Sequence, residues 1–91
     1  MISNVIKRDG SRESFDPEKI KKAIRAAAQR TEVAGDRLEE VVTEVTNSVL
    51  AREKEEIASS EIKEKVLSEL DTLEPSISEA WRQYDIEQGK A

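Results

Sequence analysis

Residues 5–20 read VIKRDGSRESFDPEKI: two short runs of strand formers around Asp9-Gly10, then Asp16-Pro17 opening onto a helical pattern. Asp-Gly between such runs is a strong local hairpin signal. A two-residue loop sets Lys7 opposite Arg12, which like-charge repulsion disfavours. A three-residue loop pairs Lys7 with Glu13 and Val5 with Phe15, and a four-residue loop pairs Arg8 with Glu13 and Ile6 with Phe15; both stay open at this level. Asp16 then reads as a helix cap whose carboxylate accepts from an orphan amide, and Pro17 as the first helical residue, which has no amide to lose.

Working outward, Ile20, Ala23, Ile24, Ala27 and Ala28 form one apolar stripe at helical spacing and predict a helix over 17–30. Asp36 is a plausible cap for a second helix over 36–51 with Leu38, Val41, Val42, Val45, Val49 and Leu50 facing inward. Its valines lower intrinsic propensity, so packing must hold it. Residues 53–56 are too charged for a core, Ile57-Ala58 suit a short strand beside the hairpin, and Ser59 or Ser60 caps a helix over 60–70 with Ile62, Val66, Leu67 and Leu70 inside. Pro75 disfavours helix at the residue before it, so the pattern breaks across 71–75. A last helix over 75–87 carries Ile77, Ala80, Trp81 and Tyr84, and a polar tail, EQGKA, follows. The expected fold is α+β and mainly helical, a single domain over 1–91 in which an N-terminal β-hairpin (about 4–15) or small three-stranded sheet caps a four-helix bundle.

Composition narrows the function. The chain has 91 residues, 36% hydrophobic and 38% charged, with neither cysteine nor histidine. That is enough for one modest core. It excludes disulfides and thiol nucleophiles, makes a zinc site very improbable, and removes the usual neutral-pH general base. No run is long and apolar enough for a membrane span, and the first ten residues lack the apolar stretch of a signal peptide, so a cytoplasmic, non-membrane protein is expected. With Gly10, Gly35 and Gly89 as the only glycines, neither a P-loop nor a dinucleotide fingerprint can be written. The chain reads as a binder and not as an enzyme.

Charge is uneven. Residues 1–30 carry eight Lys/Arg against four acids, whereas the remainder carries seven against sixteen, within a total of −5. Lys7, Arg8 and Arg12 on the hairpin, Lys19 in the first helical turn, and a helix start at Ser59-Ser60 with Lys63 one turn in form a constellation suited to phosphate. Arg grips phosphate oxygens as a fork, Lys adds a point charge, and free amides at a helix start attract anions. The remaining negative charge opposes a polyphosphate backbone, so nucleic acid is not the expected partner.

These residues resemble a known family. VIKRDG, then Glu13, then FDPEKI, a valine-rich helix, and I-x-S-S-E-I-K-E-K-V-L-x-x-L look like the ATP-cone, a nucleotide-binding regulatory module of ribonucleotide reductases and of the repressor of reductase genes. The likeness runs from Val5 to Tyr84. It implies a non-catalytic, allosteric site for ATP or dATP, with Mg²⁺ accompanying the triphosphate. Lys7, Arg8, Lys19 and Lys63 would hold phosphates with help from the Ser59 hydroxyl; Val5 and Ile20 would line the base; Glu13, with Asp16, would bond the adenine or ribose. It also implies regulation of a partner, such as a reductase acted on in trans, or of the module's own oligomeric state. Three residues depart from the pattern: in ISEAWRQYD, Trp81 replaces a tyrosine and Asp85 stands where arginine is usual, and Ser59 replaces the commoner threonine. The module is expected to stand alone, without a reductase domain or a zinc ribbon.

Each residue also has a plainer reading. Val5 and Ile20 suit a core, Ser59 a helix cap, and Glu13 a cross-hairpin counterion. Lys7, Arg8 and Lys19 resist this, because a hairpin gains little from clustered like charges. The alternative function is a helical protein-protein interaction domain that has lost its ligand and uses the surface around Trp81, Tyr84 and Asp85.

Overall fold

The computed structural model describes residues 2–52 and 54–89; Glu53, read above as too charged for the core, lies outside them, as do Lys90 and Ala91 of the polar tail. The hairpin forms from β1 (Asn4–Ile6) and β2 (Arg12–Ser14). Its register is Asn4 with Ser14, Val5 with Glu13 and Ile6 with Arg12, which corrects both pairings drawn from charge. The turn accounts for the difference. Asp9 accepts from both the amide (2.9 Å) and the hydroxyl (2.6 Å) of Ser11. Gly10 takes the left-handed region at φ 87° and donates to the Lys7 carbonyl at 2.9 Å. The loop therefore has three residues, centred on Asp9: a tight turn followed by a glycine bulge.

A third strand, β3 (Glu56–Ala58), pairs parallel to β1 through Asn4–Glu56, Val5–Ile57 and Ile6–Ala58, giving the order β2-β1-β3. The sheet seats the bundle of α1 (Pro17–Ala28), α2 (Gly35–Leu50), α3 (Ser59–Leu73) and α4 (Pro75–Glu87). The fold class is the one expected. Asp16 caps α1 as read, accepting from the Glu18 amide at 3.0 Å with Pro17 behind it. The helix stops at Ala28 and not at residue 30. Thr31 turns the chain there by donating to the Ala28 carbonyl (2.7 Å) and accepting from the Val33 amide (3.0 Å).

Other boundaries shift for local reasons. Asp36 sits inside the first turn of α2 and does not cap it; Ala34 is the cap residue, and Asp36 instead places negative charge near the positive end of the helix. Neither Ser59 nor Ser60 caps α3. Ala58, still paired to Ile6 in the sheet, runs straight into the helix, so Ser59 is its first residue and no side chain caps its amides. The break before Pro75 is confined to Glu74 (φ −149°, ψ 82°), and α3 continues to Leu73, which packs on the core.

The core joins Ile24 and Ala28 of α1, Val41, Val42, Val45 and Val49 of α2, Val66 and Leu70 of α3, Ile77 of α4 and Ile57 of β3, all at 2% exposure or less. Leu50, expected inside, is exposed because Val49 takes the inward position. Tyr84 is exposed as well, whereas Trp81 packs against the core.

Candidate functional site

Where β2, the start of α1, the start of α3 and α4 meet, they enclose a cavity of about 230 Å³. Its wall includes Val5, Glu13, Asp16, Lys19, Ile20, Ser59 and Lys63, so the structure gathers these separately expected residues at one place. Each arrives for a local reason. Val5 and Glu13 are cross-strand partners, Asp16 is the α1 cap, and Lys19 and Ile20 lie on the first turn behind it. Ser59 and Lys63 lie four residues apart on one face of α3, whose start is fixed by the β3 pairing.

Lys7 and Arg8 do not line the cavity. Lys7 reaches its rim by an ion pair with Glu13 at 3.1 Å, and Arg8 is exposed on the hairpin turn. Phe15, Ile62 and Trp81 belong to the wall without having been read as site residues. Phe15 and Ile62 continue the apolar faces of Val5 and Ile20. The position of Trp81 depends on how α4 crosses α1 and α3, which local pattern does not report.

The wall has two characters. Val5, Ile20, Phe15 and Trp81 offer an apolar, partly aromatic surface, and Lys19, Lys63 and the uncapped start of α3 offer positive charge. Carboxylates hold that charge in place. Glu13 accepts from Lys19 at 2.9 Å while its other oxygen meets Lys7 at 3.1 Å. The Lys19 ammonium first, and then that of Lys7, holds the Glu13 carboxyl below its ordinary range; Glu13 in turn raises Lys19. Lys63 pairs with the buried Asp85 of α4.

A neighbouring cavity of about 390 Å³ between α1 and α4 shares Ala23 and Trp81 with the first and has Asp85 in its wall. A larger hollow, about 1000 Å³, is an open groove along the α1–α2 connector and the outer side of α4. Its arginines are paired with carboxylates or carbonyls, Arg37 with Glu74 and the Leu73 carbonyl and Arg82 with Asp71, and it lacks the mixed apolar and cationic character of the smaller cavity. Among the described residues, no cluster of three acidic side chains forms a cage for a metal ion, and no helix is long and apolar enough to cross a membrane.

Comparison with known proteins agrees with this architecture. A family model described as the ATP cone domain matches residues 3–88. The chain is 40% identical over 70 residues to a protein named transcriptional repressor NrdR from Chloroflexus aggregans, covering 77% of this chain and 40% of that protein. Against proteins of the same name the figures are 34% over 74 residues in Sorangium cellulosum (81% and 48%) and 41% over 69 residues in Synechococcus sp. strain JA-3-3Ab (76% and 34%). The chain thus spans half or less of the length of these relatives. With a match across nearly its whole length, the chain belongs to the ATP-cone domain family.

Proposed function

We propose that this chain is a non-catalytic regulatory module that binds an adenine nucleotide, ATP or dATP, in the cavity between the hairpin, α1 and α3. The observation that carries the reading is the junction of an apolar wall with a lysine cluster around an uncapped helix start. A purine needs the first and a triphosphate the second. At about 230 Å³ the cavity is smaller than the roughly 300–1,000 Å³ typical of sites that enclose a whole ligand. It takes the base and sugar, and the phosphates extend along Lys19 and Lys63 toward Lys7 and Arg8.

Val5 and Ile20 line the base. The Ser59 hydroxyl and the first amides of α3 donate to phosphate. Glu13, released when its lysines turn to the phosphates, accepts from the ribose or adenine together with Asp16. Mg²⁺ suits this arrangement, since it binds mostly through phosphate oxygens and waters and needs no dedicated protein cage.

The relatives are named as transcriptional repressors, which points the output toward control of transcription and away from a reductase regulated in trans. What we carry over to this chain is the sensing part. Its net charge of −5 and its carboxylate-paired lysines oppose a DNA backbone, and the matched segment is 34–48% of those proteins. Nucleotide binding changes how the module packs on its neighbours, other copies included, in a cytoplasmic setting.

One observation favours the second reading, an interaction domain without a ligand: Lys63 already has an internal partner in Asp85. Isothermal titration with ATP, dATP and GTP in magnesium buffer separates the two. The nucleotide module gives saturable heat with ATP or dATP, much weaker heat with GTP, and a raised Tm by mass action. No heat and an unmoved Tm would sink it.

A further inference from the structure

The two halves of α4 are attached differently. Its first part, through Arg82, is held by burial and a fork: Ile77 and Ser78 are inaccessible, Trp81 packs on the core, and Arg82 grips Asp71. Its second half is held by charge. Asp85 pairs with Lys63, Glu87 takes both guanidinium nitrogens of Arg30 at 2.8 and 3.2 Å, and Arg30 lies 5.2 Å from the Tyr84 ring centroid. The apolar residues of this half, Tyr84 and Ile86, remain 44% and 59% exposed. Removing the ionic ties would therefore cost this half little apolar contact.

Asp85 itself is buried, at 8% exposure, and its carboxylate meets the ammonium that faces the nucleotide cavity. The pair also stands between the two cavities, with Lys63 in the wall of one and Asp85 in the wall of the other, and Ala23 and Trp81 common to both.

We propose that Asp85 is an internal phosphate surrogate that closes the site: its carboxylate occupies Lys63 when no triphosphate is bound, and an incoming phosphate displaces it and unlatches the second half of α4. The proposal rests on the nucleotide reading above and adds its regulation. The physics is exchange of one anion for another at a single ammonium. Once Lys63 turns to phosphate, Asp85 is a buried carboxylate without its cation, a state that is strongly unfavourable. It is relieved by moving Asp85, and with it the second half of α4, into water. Ligand affinity and helix docking are then coupled, so whatever favours the docked helix weakens triphosphate binding by the same factor.

The test compares the wild-type chain with Asp85→Asn, by titration with ATP and with adenosine and by hydrogen exchange of residues 84–88. If Asp85 competes with phosphate, the variant binds ATP about tenfold tighter, the size of one charge-assisted contact, and adenosine no tighter. In the wild type, ATP then speeds exchange across 84–88 and adenosine does not. A wild type that binds ATP while the variant gains nothing, or gains equally for adenosine, overturns the surrogate and leaves the nucleotide site standing. Absence of ATP binding in both proteins overturns the site and the surrogate together. Should Asp85→Asn not fold, the wild-type exchange decides, and unchanged protection of 84–88 on ATP binding refutes the proposal.

Discussion

Two clusters of charge, one at the α3–α4 junction and one at the hairpin cavity, are built from different cations. At the start of α4, Asp71 receives both guanidinium nitrogens of Arg82 at 2.8 Å and the Ser78 hydroxyl at 2.5 Å, and Arg37 joins Glu74 (2.9 Å) and the Leu73 carbonyl (2.8 Å). These planar forks lie flat on their partners and clamp the α3–α4 junction. At the hairpin cavity, one carboxylate, Glu13, bridges Lys7 and Lys19, each of which carries three ammonium donors. A saturated fork suits a fixed joint. A lysine cluster gathered around a single carboxylate can exchange partners, so similar counts of ion pairs suit a structural purpose in one place and the proposed ligand site in the other.

The comparison breaks most visibly if the lysines prove structural. Replacing Lys7 and Lys19 together by alanine is expected to weaken ATP binding about a hundredfold, roughly tenfold for each charge-assisted phosphate contact. Because both side chains are about half exposed or more, the Tm is expected to move by no more than about 2 °C. Titration and thermal melting of the same sample check both halves, and a large fall in Tm with affinity intact would reverse the assignment. Arg82→Ala probes the other cluster. It removes the fork from Asp71 and is expected to lower the Tm by about 3 °C while ATP affinity stays within about twofold of wild type.

How much of this was legible in the sequence divides along the same line between local and distant causes. The Asp16 cap, the Asp-Gly turn and the helical stripes depend on neighbours in the chain and could be read there. The hairpin register could not be obtained from cross-strand charges, because the Asp9 side chain organises its own turn with Ser11 and fixes Gly10 first. Ser59 failed as a cap for a related reason: the strand pairing of Ala58 leaves no free residue before the helix. At the site, a family likeness named residues that the fold then collected. The Lys63–Asp85 pair needed the crossing of α3 and α4, which no spacing within either helix encodes. Asp85 did stand out as a departure from the family pattern; what it meets there did not.

The smallest effect sharpens the comparison by pH. The Arg82 guanidinium first, and the Ser78 hydroxyl second, hold the Asp71 carboxyl well below its ordinary value of 3.8, at about 2. A depressed carboxylate contributes stability that is fully present above its unfolded value and is lost as pH falls toward the folded one. The contribution of Asp71 should therefore be complete above about pH 5 and fade between about pH 4 and 2. Melting Asp71→Asn beside wild type should show a Tm difference that is constant at neutral pH and closes across that window. Glu13 is depressed too, by Lys19 and then Lys7, so the wild type has an acid-sensitive element in each cluster. The two separate when ligand is added. A triphosphate that draws the lysines away changes what Glu13 contributes, whereas the difference between wild type and Asp71→Asn should be the same with and without ATP, because nothing that binds at the hairpin touches Arg82. A difference that shifts with ATP would mean that the clamp and the site act as one network, and the division of labour between arginine and lysine would fall.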